Sequence, residues 1–230
     1  MTDYVIATSR PWNEVLVQRL AERTNETFHL ITSPAELTYE RLTEINPRYV
    51  FFPHWSHIVP AAIHTQFECV IFHMTDLPYG RGGSPLQNLI QRGHQETIVS
   101  ALRCVDELDA GPIYMKKPLS LSGSAGEIFQ RAVGVMESMI EAMVYEQPEP
   151  VPQSGEPVYF TRRTSAQSDL TADAPTSLGE FFDFIRMLDA EGYPKAFIEL
   201  SGHRIELSRA EIHSVRIEGT VVTYRQDGFN

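Results

Sequence analysis

Two short stretches hold the residues whose types and spacing could do chemistry. In the first, an apolar run, Cys69-Val70-Ile71-Phe72, delivers His73 ahead of the loop Pro78-Tyr79-Gly80-Arg81-Gly82-Gly83-Ser84-Pro85. The second reads Asp106-Glu107-Leu108-Asp109-Ala110-Gly111-Pro112-Ile113. Histidine can stabilise charge or move a proton near neutral pH. A carboxylate within reach would orient it, favour its charged form and help to deprotonate an attacking ammonium. His73 and Asp109 are therefore the candidate pair. Each also has a structural reading, His73 as a satisfied strand-end residue and Asp109 with Gly111 as turn residues.

Such a pair needs rigid elements behind it. Residues 69–72 look like a buried strand, and in open α/β sheets ligands bind outside the carboxyl ends of strands. Residues 4–7, 27–31 and 49–52 are further β-prone runs. Between them, residues 12–23 carry Trp12, Val15, Leu16 and Leu20 at helical spacing, and residues 39–45 form a shorter helical pattern. This alternation predicts βαβ units around a parallel sheet. The loop at 78–85, with three glycines and two prolines, should need positive φ and then start a helix over 85–92, with Ser84 as N-cap and Pro85 at the first position.

Further along, Ile128, Phe129, Ala132, Val135, Met136, Met139, Ile140 and Met143 trace an amphipathic helix over 126–144. A Pro-rich stretch at 146–157 cannot be helical and reads as a linker. Ser177 with Glu180 has the form of a capping box opening a helix over 177–188. Strands are expected at 196–200, 204–207, 212–217 and 221–224. The expected fold class is α/β, with a Rossmann-like, mostly parallel sheet and a small α+β C-terminal appendage. The expected division is 1–147 for the main domain, 148–176 for the linker and an extended segment, and 177–230 for the small subdomain.

Composition narrows the function classes. The chain has 30 acidic against 19 basic residues, a net charge of −11, which argues against a large nucleic-acid footprint. Cys69 and Cys104 lack metal-ligand spacing and read as small buried hydrophobes. The first βα loop lacks a G-x-G-x-x-G pattern, so an NAD-type site has no support, although Ser9 and Arg10 could contact a phosphate or cap the helix. His54 and His57, with Trp55 between them, would need a third ligand to hold a metal, so none is expected. No signal peptide is evident, and no apolar run approaches the ~20 residues of a membrane span. The expectation is a cytoplasmic protein without membrane partners.

His73, Leu77-Pro78, Arg81-Gly82 and the run Leu108-Asp109-x-Gly111-Pro112-Ile113 together resemble the signatures of formyltransferases that use 10-formyltetrahydrofolate. The resemblance covers residues 49–132 and departs at one position, where Ile71 stands in place of the family's asparagine. It implies that His73 and Asp109 form the oxyanion and proton-transfer pair. It further implies that His57, Ile58, Val59, Cys104, Val105, Asp106 and Leu108 line the folate pocket. The asparagine would donate to the developing oxyanion, which Ile71 cannot do. His54, His57 and Thr75 are the nearby replacements in sequence.

The family acts on glycinamide ribonucleotide, methionyl-tRNA and nucleotide-linked amino sugars. Residues 181–197, with Arg162-Arg163, resemble the segment that follows the catalytic domain in sugar N-formyltransferases. The implied acceptor is a UDP- or dTDP-linked amino sugar of bacterial surface polysaccharides, including pseudaminic-acid-type pathways. A methionyl-tRNA enzyme usually carries a longer, more basic C-terminal domain. Arg81, Arg162, Arg163 and Arg186 would contact the substrate, since paired guanidinium donors suit a diphosphate, and Tyr193 would stack on a base. Arg186 with Asp189 at i,i+3 is the competing internal pair. Two other classes stay open: a folate binder without transferase activity, and a 10-formyltetrahydrofolate hydrolase. Related sugar enzymes are often dimers, and the C-terminal strands could pair between subunits.

Overall fold

A computed structural model describes residues 1–172 and 174–225. The expected C-terminal subdomain includes 226–230, which lie outside the described residues, as does Asp173 of the extended segment. The strands are β1 (Asp3–Ala7), β2 (Thr27–Ile31), β3 (Val50–Phe52), β4 (Cys69–His73), β5 (Tyr79–Gly82), β6 (Glu96–Arg103), β7 (Ile113–Ser120), β8 (Val158–Phe160), β9 (Ala196–Leu200), β10 (His203–Ile212) and β11 (Ile217–Arg225). The helices are α1 (Val15–Thr24), α2 (Tyr39–Ile45), α3 (Ala61–His64), α4 (Pro85–Gln91), α5 (Ala125–Glu146) and α6 (Leu178–Arg186).

Contacts group the chain into two compact units that alternate along the sequence. The first comprises 1–82, 97–119 and 130–159, and the second 83–96, 120–129 and 160–230. The first unit is built on a six-stranded sheet of order β2-β1-β3-β4-β6-β7. β2, β1, β3 and β4 run parallel, and β6 is antiparallel to β4. Fully buried runs such as Val5, Ile6, Ala7 and Val50, Phe51, Phe52 mark strands covered on both faces. Tyr4 stacks near Phe28, Tyr49 and Phe51, giving one layer of that core an aromatic filling. No helix among the described residues is long and apolar enough to cross a membrane.

The helix ends follow their local chemistry. Asn25 and Asn46 adopt left-handed φ at the C-caps of α1 and α2, and the Thr38 side chain accepts from Arg41 N–H at the start of α2. Ser177 caps α6 by accepting from Glu180 N–H at 3.2 Å, but the Glu180 carboxylate reaches back to Thr176 N–H, one residue further than a capping box requires.

Four expectations need correction. Ser84 does not cap α4. It sits at φ +51° with no capping bond, and its hydroxyl accepts from Arg163 N–H at 3.0 Å. The Gly-rich loop is not wholly irregular, because residues 79–82 pair with β8 as a two-stranded ribbon. The strands expected at 204–207, 212–217 and 221–224 are two long ones, β10 and β11, joined at 213–216 and carrying an irregularity between Ser208 and Glu211. The proline-rich stretch is tied down as well. Val151 exchanges both backbone hydrogen bonds with Ile113, each 2.8 Å.

The second unit holds a three-stranded sheet, β11-β10-β9, antiparallel throughout. Within it α4 is anchored by Gln87, which donates to Met187 C=O at 3.1 Å, and by Asn88, which donates to Thr161 C=O at 3.1 Å.

Candidate active site

β4 ends at His73, so the sheet fixes where that imidazole begins. Residues 69, 71 and 73 share one face by the two-residue period of a strand. Ile71 therefore lies on the same face as His73, half-buried against the cluster that includes Phe52, Val59 and Cys69. His73 is 7% exposed. Its Nε2 lies 2.7 Å from the Gly80 carbonyl, and a carbonyl only accepts, so Nε2 carries a proton. Nδ1 stands 3.6 Å from Asp109 Oδ2 and is drawn to it once it too is protonated.

Asp109 reaches this position through a costly backbone, φ +54° in a residue that is not glycine. Its Oδ2 accepts the Gly82 N–H at 2.9 Å. Gly111 is required next door, because a Cβ there would fall 1.7 Å from the Arg103 carbonyl oxygen. The base of the loop is closed by Arg103 N–H donating to Pro112 C=O at 2.9 Å. Behind His73, Thr75 shares the Gly80 carbonyl at 3.3 Å, and the Ser100 hydroxyl donates to Thr75 C=O at 2.7 Å. The result is a buried imidazole held between a carbonyl and a carboxylate, an arrangement suited to stabilising negative charge or passing a proton.

The residues named for the folate pocket divide by exposure. Ile58 is 79% exposed and Leu108 57%, and Val105 is also exposed, whereas Val59 is buried in the core. The exposed His57 stands edge-on to Trp55, with centroids 5.4 Å apart. Asp106 faces His64 at 3.4 Å. Cys104 is half-buried and sits beside Cys69, donating its backbone N–H to Cys69 C=O at 2.8 Å. Burial, reinforced by the Asp109 and Asp106 carboxylates, pushes the Cys104 thiol up to about 11, and burial raises Cys69 as well. Neither is a ready thiolate.

The substrate arginines fare differently. Arg81 is buried and engaged within the first unit, by Glu107 at 2.9 Å and by Gln153 Oε1 at 2.9 and 3.2 Å. The others belong to the second unit. Arg186 is buried against Asp183 at 2.6 Å and the carbonyls of Leu121 and Gly123, so its acid partner is Asp183 and not Asp189, which pairs with Lys195. Tyr193 stacks on Phe129 at 5.2 Å. Arg163 lies over Phe184 at 5.7 Å and donates to Gln167 C=O. Arg162 is exposed, its Cβ packed close to Gly83. Arg186 is thus buried in contacts inside the second unit, while Tyr193 is half-buried against Phe129.

Two features go beyond the sequence reading: the burial of His54 and the contacts of Gln153. His54, just past β3 at φ +52°, keeps some exposed surface, but its Nε2 is shut away from solvent. Burial, with help from Arg10, lowers its imidazole to about 4, so it is neutral at pH 7. Asn13 serves it, donating toward His54 Nδ1 at 3.1 Å, Thr8 Oγ1 at 3.0 Å and Pro53 C=O at 3.3 Å. The second is Gln153, whose contacts run to two backbone carbonyls and to the distant Arg81 and left no pattern to find. Among the described residues no group of three His, Cys, Asp or Glu is placed to hold a metal.

Residues 165–224 match the family described as methionyl-tRNA formyltransferase, C-terminal domain. The structure superposes on a methionyl-tRNA formyltransferase from Clostridium thermocellum with a TM-score of 0.94 at 42% identity, covering 98% of this chain and 100% of that one. A methionyl-tRNA formyltransferase of Bacillus mycoides (strain KBAB4) is 25% identical over 83% of this chain. The chain spans 63% of the length of that curated relative. A sugar N-formyltransferase from a Shewanella species shares the fold at 16% identity and a TM-score of 0.70, over 90% of this chain and 97% of that one. A relative 42% identical along its whole length meets a chain whose sheet places His73 beside Asp109, and this chain belongs to the formyltransferase family.

Proposed function

We propose that the chain transfers a formyl group from 10-formyltetrahydrofolate to the amino group of a nucleotide-linked amino sugar, carrying UDP or dTDP. The observation that carries the reaction is the His73–Asp109 pair, 3.6 Å apart and buried at the end of β4. The co-substrate supplies an activated one-carbon unit. Its flat pterin needs apolar walls, and exposed Ile58, Val105 and Leu108 on the loops after β3 and β6 fit that need, with His57 and Asp106 as polar neighbours. Val59 contributes backbone only, its side chain being in the core.

A ring rotation frees His73 Nε2–H from the Gly80 carbonyl and offers it to the developing oxyanion, while Asp109 holds the proton at Nδ1. Asp109 takes up the proton that the attacking ammonium gives away as the new amide N–C bond forms, and returns it to the folate nitrogen as the old N–C bond breaks and tetrahydrofolate leaves. Help of this kind is worth about 10²–10⁴-fold in rate. Ile71, on the same face, offers no amide where the family has its asparagine, so the imidazole is the donor this reading assigns to the oxyanion.

Charge weighs against a tRNA acceptor. A tRNA binder works by clustered Lys and Arg, and this chain has 19 of them against 30 acids. Methionyl-tRNA is the second reading, favoured by the name of the 42% identical protein.

The test is turnover with 10-formyltetrahydrofolate and a panel of UDP- and dTDP-amino sugars and methionyl-tRNA, run beside His73→Ala. Formylated sugar from the wild type and none above background from the variant supports the proposal. Formylation of tRNA alone transfers it to the second reading. Folate binding with no product, or formate released with no acceptor, refutes a transferase and makes Ile71 the leading fact.

A further inference from the structure

We infer that Gln153 is a positioning residue that sets the Asp109 carboxylate against His73. The inference rests on the reading of Asp109 as a working member of that pair. Residues 104–108 turn outward, with Val105, Asp106, Glu107 and Leu108 exposed, so packing on the loop's outer side does not hold it. Asp109 nevertheless keeps a left-handed φ, and such a conformation persists only where neighbours over-determine it.

Gln153 supplies that determination. Its Nε2 donates both hydrogens to the loop, to Asp109 C=O at 2.8 Å and to Gly111 C=O at 2.8 Å. These carbonyls flank Ala110 and face one amide together. The other end of the same amide, Oε1, accepts from Arg81 Nε at 3.2 Å and Nη2 at 2.9 Å. Arg81 Nη1 then returns to the loop at Glu107 Oε1, 2.9 Å away, where Tyr159 OH also reaches at 3.3 Å. The circuit closes on itself: loop, Gln153, Arg81, loop. Arg81 lies between Gly80, whose carbonyl takes the His73 proton, and Gly82, whose N–H holds Asp109 Oδ2. One side chain therefore ties the backbone of the carboxylate to the strand that grips both members of the pair.

The reach of Gln153 is itself fixed. The two Val151–Ile113 backbone bonds hold the segment two residues earlier. Glutamine is the residue the position requires, because an amide donates and accepts at opposite atoms. Glutamate there would keep Arg81 but face two carbonyl oxygens with a carboxylate.

The experiment keeps the inference separable from formyl transfer. Gln153→Glu, Gln153→Ala and Asp109→Ala are compared with wild type by amide hydrogen exchange at Gly82, whose N–H is protected by Asp109 Oδ2, and by kinetics with the acceptor that turns over. Both Gln153 variants should lose Gly82 protection as Asp109→Ala does, with core amides of β1 and β3 unchanged. In turnover, kcat should fall by about 10²-fold, the cost of a misplaced catalytic group, with KM for the folate moving far less. If Gly82 stays protected in both variants, or KM rises while kcat holds, Gln153 is only a loop tie and the inference is overturned. Should no acceptor turn over with wild type, the function fails while the exchange result still decides the role of Gln153.

Discussion

His54 makes the first unit sensitive to acid by a calculable amount. In the unfolded chain its imidazole titrates near 6.5, and in the folded protein burial lowers it to about 4. Above pH 6.5 both states are neutral and the group contributes no pH dependence. Between 6.5 and 4 the unfolded chain takes up a proton that the folded one refuses, so stability falls as pH falls. Below 4 both are charged and the slope from this residue vanishes. Each unit is worth about 1.4 kcal/mol, so the whole window costs at most about 3.5 kcal/mol, and the residue's partial exposure trims this toward about 2 to 3.

The assay is urea unfolding followed by tryptophan fluorescence at several values between pH 7.5 and 4. Both tryptophans report from this neighbourhood, since Trp12 stands 6.3 Å from His54 and Trp55 is its chain neighbour. The reference variant is His54→Asn, because asparagine tolerates left-handed φ. The variant should be less stable at pH 7.5 yet lose about 2 to 3 kcal/mol less on acidification. Parallel stability curves for wild type and variant across that window would refute the reasoning.

Gly111→Ala should cost at least about 10²-fold in kcat, since the added methyl meets the Arg103 carbonyl and the Asp109 loop must move, which steady-state kinetics will read. Arg186→Met leaves Asp183 and two carbonyls without their donor inside the second unit, and urea unfolding should record a loss of about 3 to 5 kcal/mol. Cys104, with its thiol near 11, should label with iodoacetamide at pH 8 far more slowly than glutathione, and should speed up only when the chain is unfolded.

The sequence made the parallel part of the fold plain because its elements are punctuated. β2 and α2 lie where the pattern put them, between Asn25, Thr38 and Asn46, of which Thr38 caps with its side chain and the two asparagines with left-handed backbone. His73 and Asp109 were legible for a similar reason, since strand ends and a Gly-Pro loop leave residue-type signatures. β5 was not, because Tyr-Gly-Arg-Gly has no β pattern and becomes a strand only by pairing with β8. Gln153 was hidden because two of its partners are backbone carbonyls, identical in every residue, and the third, Arg81, lies 72 residues away in sequence. Arg186 shows a subtler limit. Asp183 and Asp189 are equally spaced from it, but α6 ends at Arg186, so only Asp183 lies on the helix beside it.

The alternation of the two units along the chain bears on how a ribosome can deliver this protein. α4 emerges early, yet two carbonyls that accept from Gln87 and Asn88 belong to Met187 and Thr161, synthesised 100 and 73 residues later. At ~5–20 residues per second, that helix waits several seconds for these two acceptors. Residues 97–119 and 130–159 can meanwhile join the sheet begun by β1 to β4, so the growing chain completes its first unit with α4 held out as a loop. A nascent chain cut before residue 160 would leave Gln87 and Asn88, both buried in the finished protein, without these acceptors, and would be a natural client for a chaperone at the exit tunnel.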